Sequence, residues 1–296
     1  MLSGILAGLA AGALWGLVFV APRVLTGMAA VDMAIGRFVV YGAFSAVLVL
    51  AGWRSRPRPT GRQALAALGL SVLGFSGYYG LLAQSIVDVG TELPTLIIGT
   101  VPVWVMLLGK PAHLRWAALL PGLGLTVAGL VLMFSALPVA NAAIYPHTER
   151  GLVFALAALV SWTAYAVLNS AWLKRHPAVR ASDWTNWLGI ATGLTALTAW
   201  LLLGSESKVP LTKVGSAQAA MVFIAIGVGA GWLASACWNF ASQHLSASLC
   251  GQLIVSETLF GLFYSFVWDG QWPGGLQWLA VGLFTLGIVA SIRAHR

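Results

Sequence analysis

Residues 3–21 read SGILAGLAAGALWGLVFVA and carry no charged side chain from end to end. A helix needs about 20 mainly apolar residues to cross about 30 Å of hydrocarbon, and this stretch supplies that length. A secretory signal would place a positive cluster ahead of the apolar run and a cleavage site soon after it. Here no such cluster precedes the run, which continues through Val20, so residues 3–21 are expected to be a retained first transmembrane helix. Gly4, Gly8, Gly12 and Gly16 recur every fourth position and so fall on one face. A ridge of small residues lets a second helix approach closely, or lets two helices slide past each other.

The same pattern extends along all 296 residues, of which 59% are hydrophobic and only 8% charged. A water-exposed domain carries about a quarter of its residues as charges. Water therefore cannot be the solvent for most of this surface. Nine more apolar segments follow the first, over about 32–52, 64–86, 88–109, 114–136, 150–173, 183–203, 215–242, 246–268 and 274–292. Only helices satisfy their own backbone groups in lipid over such lengths, so an all-α bundle of ten transmembrane helices is predicted. The loops leave no room for a soluble domain.

The net charge of +8 does not indicate nucleic acid, because the cations sit in short clusters between apolar runs. With the N-terminus inside, alternate loops and the tail hold eleven Lys and Arg against four on the other side: Arg23, Arg150, Lys208 and Lys213. Cytoplasmic loops carry that excess, so both termini are predicted to be cytoplasmic. The Pro- and Arg-rich stretch Arg54–Arg62 reads as a solvated loop. Cys237 and Cys250 have no metal or disulfide spacing and read as buried thiols.

The chain also repeats itself. Leu14-Trp15 finds a counterpart in Ser161-Trp162, residues 99–103 in 255–259, and Gly124 and Gly129 in Gly282 and Gly287 at equal spacing. This divides the chain into five-helix halves, 1–140 and 141–296. An odd number of helices per half forces the second to enter from the opposite face. Inverted repeats of this kind bind substrate at their interface near the midplane.

Several deep residues could meet that substrate. Pro94 and Pro102 both interrupt the fourth segment, where each weakens the helix beside a possible pathway. Trp53, Trp116, Trp184, Trp200, Trp272 and Trp278 fall near segment ends, as an interfacial belt requires. Trp15, Trp104, Trp162 and Trp238 lie deeper, with Tyr78, Tyr79, Tyr165 and Asn239, and such rings with polar edges suit an amphipathic or aromatic ligand. Glu257 sits in the ninth segment, about one turn from Gln252. A carboxylate there is disfavoured by several kcal/mol unless paired, hydrated or protonated. Three roles stay open for it: coupling protons, receiving an amino group, or bonding a neighbouring helix. Glu92 and Arg37, nearer the outer ends, are expected to form a structural ion pair or an outer gate.

No segment contains a Lys for a Schiff base, and the five His fall in loops or at segment ends. No HExxH or GxxxxGK[ST] motif occurs, so neither zinc proteolysis nor ATP hydrolysis is expected, and no cofactor is called for.

Leu14-Trp15-Gly16, Pro102-Val103, Glu257 and the Gly-rich fifth and tenth helices together resemble the drug/metabolite transporter superfamily, ten-helix EamA type, across essentially the full chain. Within it, Trp15, Tyr78, Trp162, Tyr165, Asn169 and Trp238-Asn239 look most like bacterial aromatic amino acid exporters. The resemblance implies an inner-membrane, multi-pass exporter of aromatic and other neutral amino acids, working by alternating access. The expected partners are that small molecule and lipid, with the protein as a monomer. Substrate would bind among Trp15, Tyr78, Trp162, Tyr165, Trp238 and Asn239, with Gln252 and Glu257 as polar contacts; Gly12, Gly16, Pro94 and Pro102 would be the moving parts. One departure bears on shape: the second half of that family carries Glu-Pro-Val where this chain reads Glu257-Thr258-Leu259. The alternative within the superfamily is a proton-coupled multidrug or cationic-metabolite exporter.

Overall fold

The computed structural model describes residues 1–26, 28–52, 54, 58–135, 147–203, 216–270 and 272–296. Trp53, Arg56, Lys208, Lys213 and the expected junction at 140/141 lie outside the described residues. Among the described residues, ten helical segments follow one another close to the expected bounds. They are α1 (Leu2–Val24), α2 (Ala30–Ala51), α3 (Gly61–Val89), α4 (Glu92–Leu108), α5 (Trp116–Ser135), α6 (Thr148–Arg175), α7 (Ala181–Leu203), α8 (Ala219–His244), α9 (Ala247–Asp269) and α10 (Gly275–Ala294). Eight of them are long and apolar enough to cross a membrane. The other two are α4, which is short and broken, and α7, which begins with the buried polar residues Asp183, Thr185 and Asn186.

Burial runs opposite to that of a water-soluble protein. Leu65, Val87, Leu194 and Leu202 are exposed, whereas Ser45, Ser85, Thr126 and Ser235 are buried. Lipid is as apolar as Leu, so helices gain little by hiding large side chains and much by approaching through small ones. At the crossing of α2 and α7, a Cβ on Gly42 would lie 2.6 Å from the Cα of Gly193. On α1 the ridge runs along α9 and the corner before it: Gly4 faces Leu245, Gly8 faces Leu253, Gly12 faces Ser256 and Gly16 faces Gly261.

Helix packing carries the internal symmetry. α5 packs on α10, α2 on α7 and α4 on α9; α1 packs on α8 and α9, while α6 packs on α3 and α4. Replacing each helix by the one five positions away maps this set of contacts onto itself. The pairing extends to single residues. A Cβ on Gly129 would meet the Phe284 ring, and one on Gly287 would meet Thr126, the positions that the repeat relates; Gly124 and Gly282 both face open space. α3 and α8 share a widened π-helical stretch, at Val72–Ser76 and Ala225–Leu233. The protein is thus an all-α membrane protein of two inverted five-helix repeats around a central cavity.

The prolines of α4 act differently from the expectation. The helix breaks once, between Glu92–Gly99 and Val101–Leu108, at Thr100 just before Pro102. Pro94 lies in the first turn of its half, where the backbone N–H has no intrahelical partner to lose, so it introduces no kink. The residue that the repeat sets opposite Pro102 is Thr258. With no proline there, α9 runs unbroken from Ala247 to Asp269.

Candidate substrate cavity

On the side of the chain termini the centre of the bundle is shut. The Ser248 amide donates to the Gly109 carbonyl at 3.1 Å. A Cβ on Gly109 would lie 2.7 Å from that of Ala247, and one on Gly251 2.8 Å from Val105 Cγ1. Toward the opposite side the same helices part around a cavity of about 470 Å³. It is bounded by the later halves of α1, α3, α5 and α9 and the early halves of α2 and α4, which all point that way. Both widened turns reach it, through Gly74 and Phe75 of α3 and Ala230 and Gly231 of α8.

Aromatic rings form much of its wall. Trp15 and Trp162, which the repeat relates, stand edge to face with ring centroids 6.5 Å apart. Tyr165 lies 6.0 Å from Trp162, and Phe75 lies 5.4 Å from Tyr165. Tyr78 and Tyr79 continue the wall, 5.2 Å apart and nearly perpendicular. The polar part comes from Glu257 and Thr258 of α9, Thr95 of α4, and Arg37 of α2. Arg37 is only 7% exposed, and its guanidinium lies over the Phe38 and Tyr79 rings at 4.7 and 4.9 Å. At the rim, Arg23 donates to Ser265, a wall residue, and pairs with Asp269 at 2.9 Å, tying the ends of α1 and α9. Asp88 and Arg150 tie α3 to α6 by a two-pronged ion pair at 2.6 and 2.8 Å.

Trp15, Tyr78, Trp162, Tyr165, Glu257 and Pro102 therefore all line one cavity. Trp238, Asn239 and Gln252 do not. Trp238 is 1% exposed and stands behind the wall, 5.5 Å from Trp15 and 6.2 Å from Trp162. Asn239 accepts from the Asn169 amide at 2.9 Å and donates to Thr185 at 2.8 Å, while Trp184 donates to Asn169 at 2.8 Å. That network joins α6, α7 and α8. Gln252 donates to Thr126 at 2.8 Å and accepts from Ser291 at 3.1 Å, joining α5, α9 and α10. An amide in hydrocarbon takes the partners that its neighbours offer. Depth along the chain does not say whether they lie on another helix or in a ligand.

Two tryptophans also change place. Trp184, expected in the interfacial belt, is fully buried and stacked on Trp172 at 3.5 Å. Trp104, expected deep, is 45% exposed toward lipid. Nor do Arg37 and Glu92 pair: Glu92 is exposed at the start of α4, whereas Arg37 faces the cavity. Arg37 carries a signal in the sequence that points to function and not only to an ion pair: it is a cation inside a span. Phe38 and Thr95 carried no signal that would have found them.

An aromatic wall with one acid and one guanidinium suits an amphipathic molecule. The comparisons with known proteins agree with a carrier. The EamA-like transporter family matches over residues 2–135 and again over 149–293, so each match covers one set of five helices. The inner membrane protein YtfF of Escherichia coli (strain K12) is 32% identical over 312 residues, covering 99% of this chain and 96% of that protein. One solved crystal structure superposes with a TM-score of 0.79 at 21% identity, covering 99% of this chain and 98% of its own, which shows a shared fold. A doubled family match along two interlocked sets of five helices leaves one conclusion: the chain is a membrane transporter and belongs to the EamA-like transporter family.

Proposed function

We propose that this protein exports aromatic and other neutral amino acids across the bacterial inner membrane by alternating access, as a monomer with both termini in the cytoplasm. The observation that carries the reading is the wall itself: Trp15, Trp162, Tyr165 and Tyr78 surround the same space that Glu257 reaches. Flat rings of a substrate gain by edge-to-face contact with such a wall. An α-ammonium gains from a carboxylate held away from water. In this reading the units are residues 1–140 and 141–296, and the structure corresponds to the state open to the outside, since the cavity widens away from the termini. The name of the Escherichia coli relative supports the inner membrane, and the charge asymmetry of the loops supports the orientation.

A second reading, a proton-coupled exporter of drugs or cationic metabolites, draws on the same Glu257, which lies half-buried on the wall. Counterflow of labelled phenylalanine into liposomes holding the purified protein separates the two. Uptake competed by tryptophan and tyrosine and insensitive to a pH gradient supports the amino acid reading. No uptake above empty liposomes, with folded protein, rejects it and turns attention to cationic drugs.

A further inference from the structure

Arg37 stays charged in any environment a protein provides. Its side chain is more than nine-tenths buried on the wall of the cavity, and its Nε has no hydrogen-bond acceptor. The Phe38 and Tyr79 rings attract it through their faces. Ring faces accept no in-plane N–H bond, and the fork of donors on a guanidinium matches a carboxylate. Charge inside a membrane protein is retained where it is paired or where it works. Among the described residues no ion pair holds Arg37, and Glu92 does not supply one.

Among the described residues, the acid that lines the same cavity is Glu257, from α9 of the other repeat. Tyr78 shares the cavity with both groups. Even so, the two groups form no direct ion pair. Both line the one cavity that Trp15 and Trp162 also line.

We infer that Arg37 and Glu257 form a two-ended clamp for a zwitterion, with the Arg37 guanidinium binding the α-carboxylate of an amino acid and Glu257 binding its α-ammonium. This rests on the amino acid reading above and narrows it. A molecule with adjacent opposite charges satisfies both groups at once, whereas a plain cation leaves Arg37 unmatched and a plain anion leaves Glu257 unmatched. The side chain of the substrate then points to the rings. Arg37 thereby becomes a specificity-determining residue, and the clamp spans the two repeats, so binding draws α2 and α9 together.

The test is competition against counterflow of labelled phenylalanine in liposomes, using phenylalaninol, which lacks the carboxylate, and 3-phenylpropionate, which lacks the ammonium. In the wild type, phenylalanine should compete about ten-fold or more better than phenylalaninol, the scale of a lost hydrogen-bonded charge contact. Arg37→Gln should erase most of that gap and abolish competition by 3-phenylpropionate, while Arg37→Lys should keep part of both. A purely structural arginine would lower uptake without moving these ratios. Equal competition by phenylalanine and phenylalaninol in the wild type overturns the clamp and leaves the amino acid reading standing; so does an Arg37→Gln variant with unchanged ratios. If Arg37→Gln does not fold, the wild-type series and Arg37→Lys still decide. Absence of any phenylalanine counterflow by folded wild type rejects the amino acid reading and the clamp with it.

Discussion

Gly251 of α9 lies against the side chain of Val105 of α4, so close that a Cβ on the glycine would fall 2.8 Å from Val105 Cγ1. The repeat relates Val105 to Gly261 and Gly251 to Thr95. Thr95 and Gly261 both line the cavity; a Cβ on Gly261 would meet the Phe19 ring at 2.7 Å, so that ring must turn aside to admit a side chain there. If the halves exchange conformations during transport, the second pair closes when the first opens. A Thr95→Cys/Gly261→Cys double variant is expected to cross-link during turnover and to stop uptake until reduced. Efficient uptake with the cross-link in place would exclude this closure.

Trp162 touches Trp15, Tyr165 and Trp238 by ring contacts of 6.0–6.5 Å and also faces the cavity. Aromatic pairs contribute about 0.5–1.5 kcal/mol beyond their buried area. Trp162→Ala should therefore raise the half-saturation concentration for phenylalanine about 3- to 10-fold. Folded protein should remain. Unchanged transport at equal expression would remove Trp162 from the binding wall.

Glu257→Gln keeps the shape of the side chain and removes its charge. A residue that binds the ammonium should then show a higher half-saturation concentration, with exchange retained. If a proton gradient drives wild-type uptake and the variant loses that response altogether, Glu257 couples protons and the cationic-substrate reading gains.

Asn239 stands in a buried chain that runs from Trp184 through Asn169 to Thr185. Removing one member leaves buried donors unmet, at a cost of roughly 1–3 kcal/mol. Asn239→Ala is expected to lower the melting temperature in detergent while leaving the substrate preference of whatever folds unchanged. An altered preference with unchanged stability would return Asn239 to the binding residues.

Gly42 and Gly193 meet backbone to backbone where α2 crosses α7. Any larger residue must push two helices apart, since neither backbone has a flexible end to yield. Gly42→Leu should sharply reduce the yield of folded protein, whereas Gly80→Leu, with open space around its Cβ, should not; equal yields would show that the crossing tolerates separation.

The sequence by itself determined the number of helices, their order and the doubling of the chain. Each of these depends on local quantities: the length of an apolar run, the spacing of glycines, and the parity of five. It also placed Trp15, Tyr78, Trp162, Tyr165 and Glu257 at depths that converge on one cavity. Tertiary structure alone decided which way each side chain points around its helix. Almost every face of these helices is apolar, so no polar stripe marks the lipid side from the inside. That ambiguity is why Trp104 faces outward and Trp184 inward. It is also why Asn239 and Gln252 bond neighbouring helices while Arg37, set aside in the sequence, turns to the cavity. The break in α4 belongs with these: two prolines were visible in the sequence, but only the helix boundary shows that Pro94 sits where its missing donor does no harm.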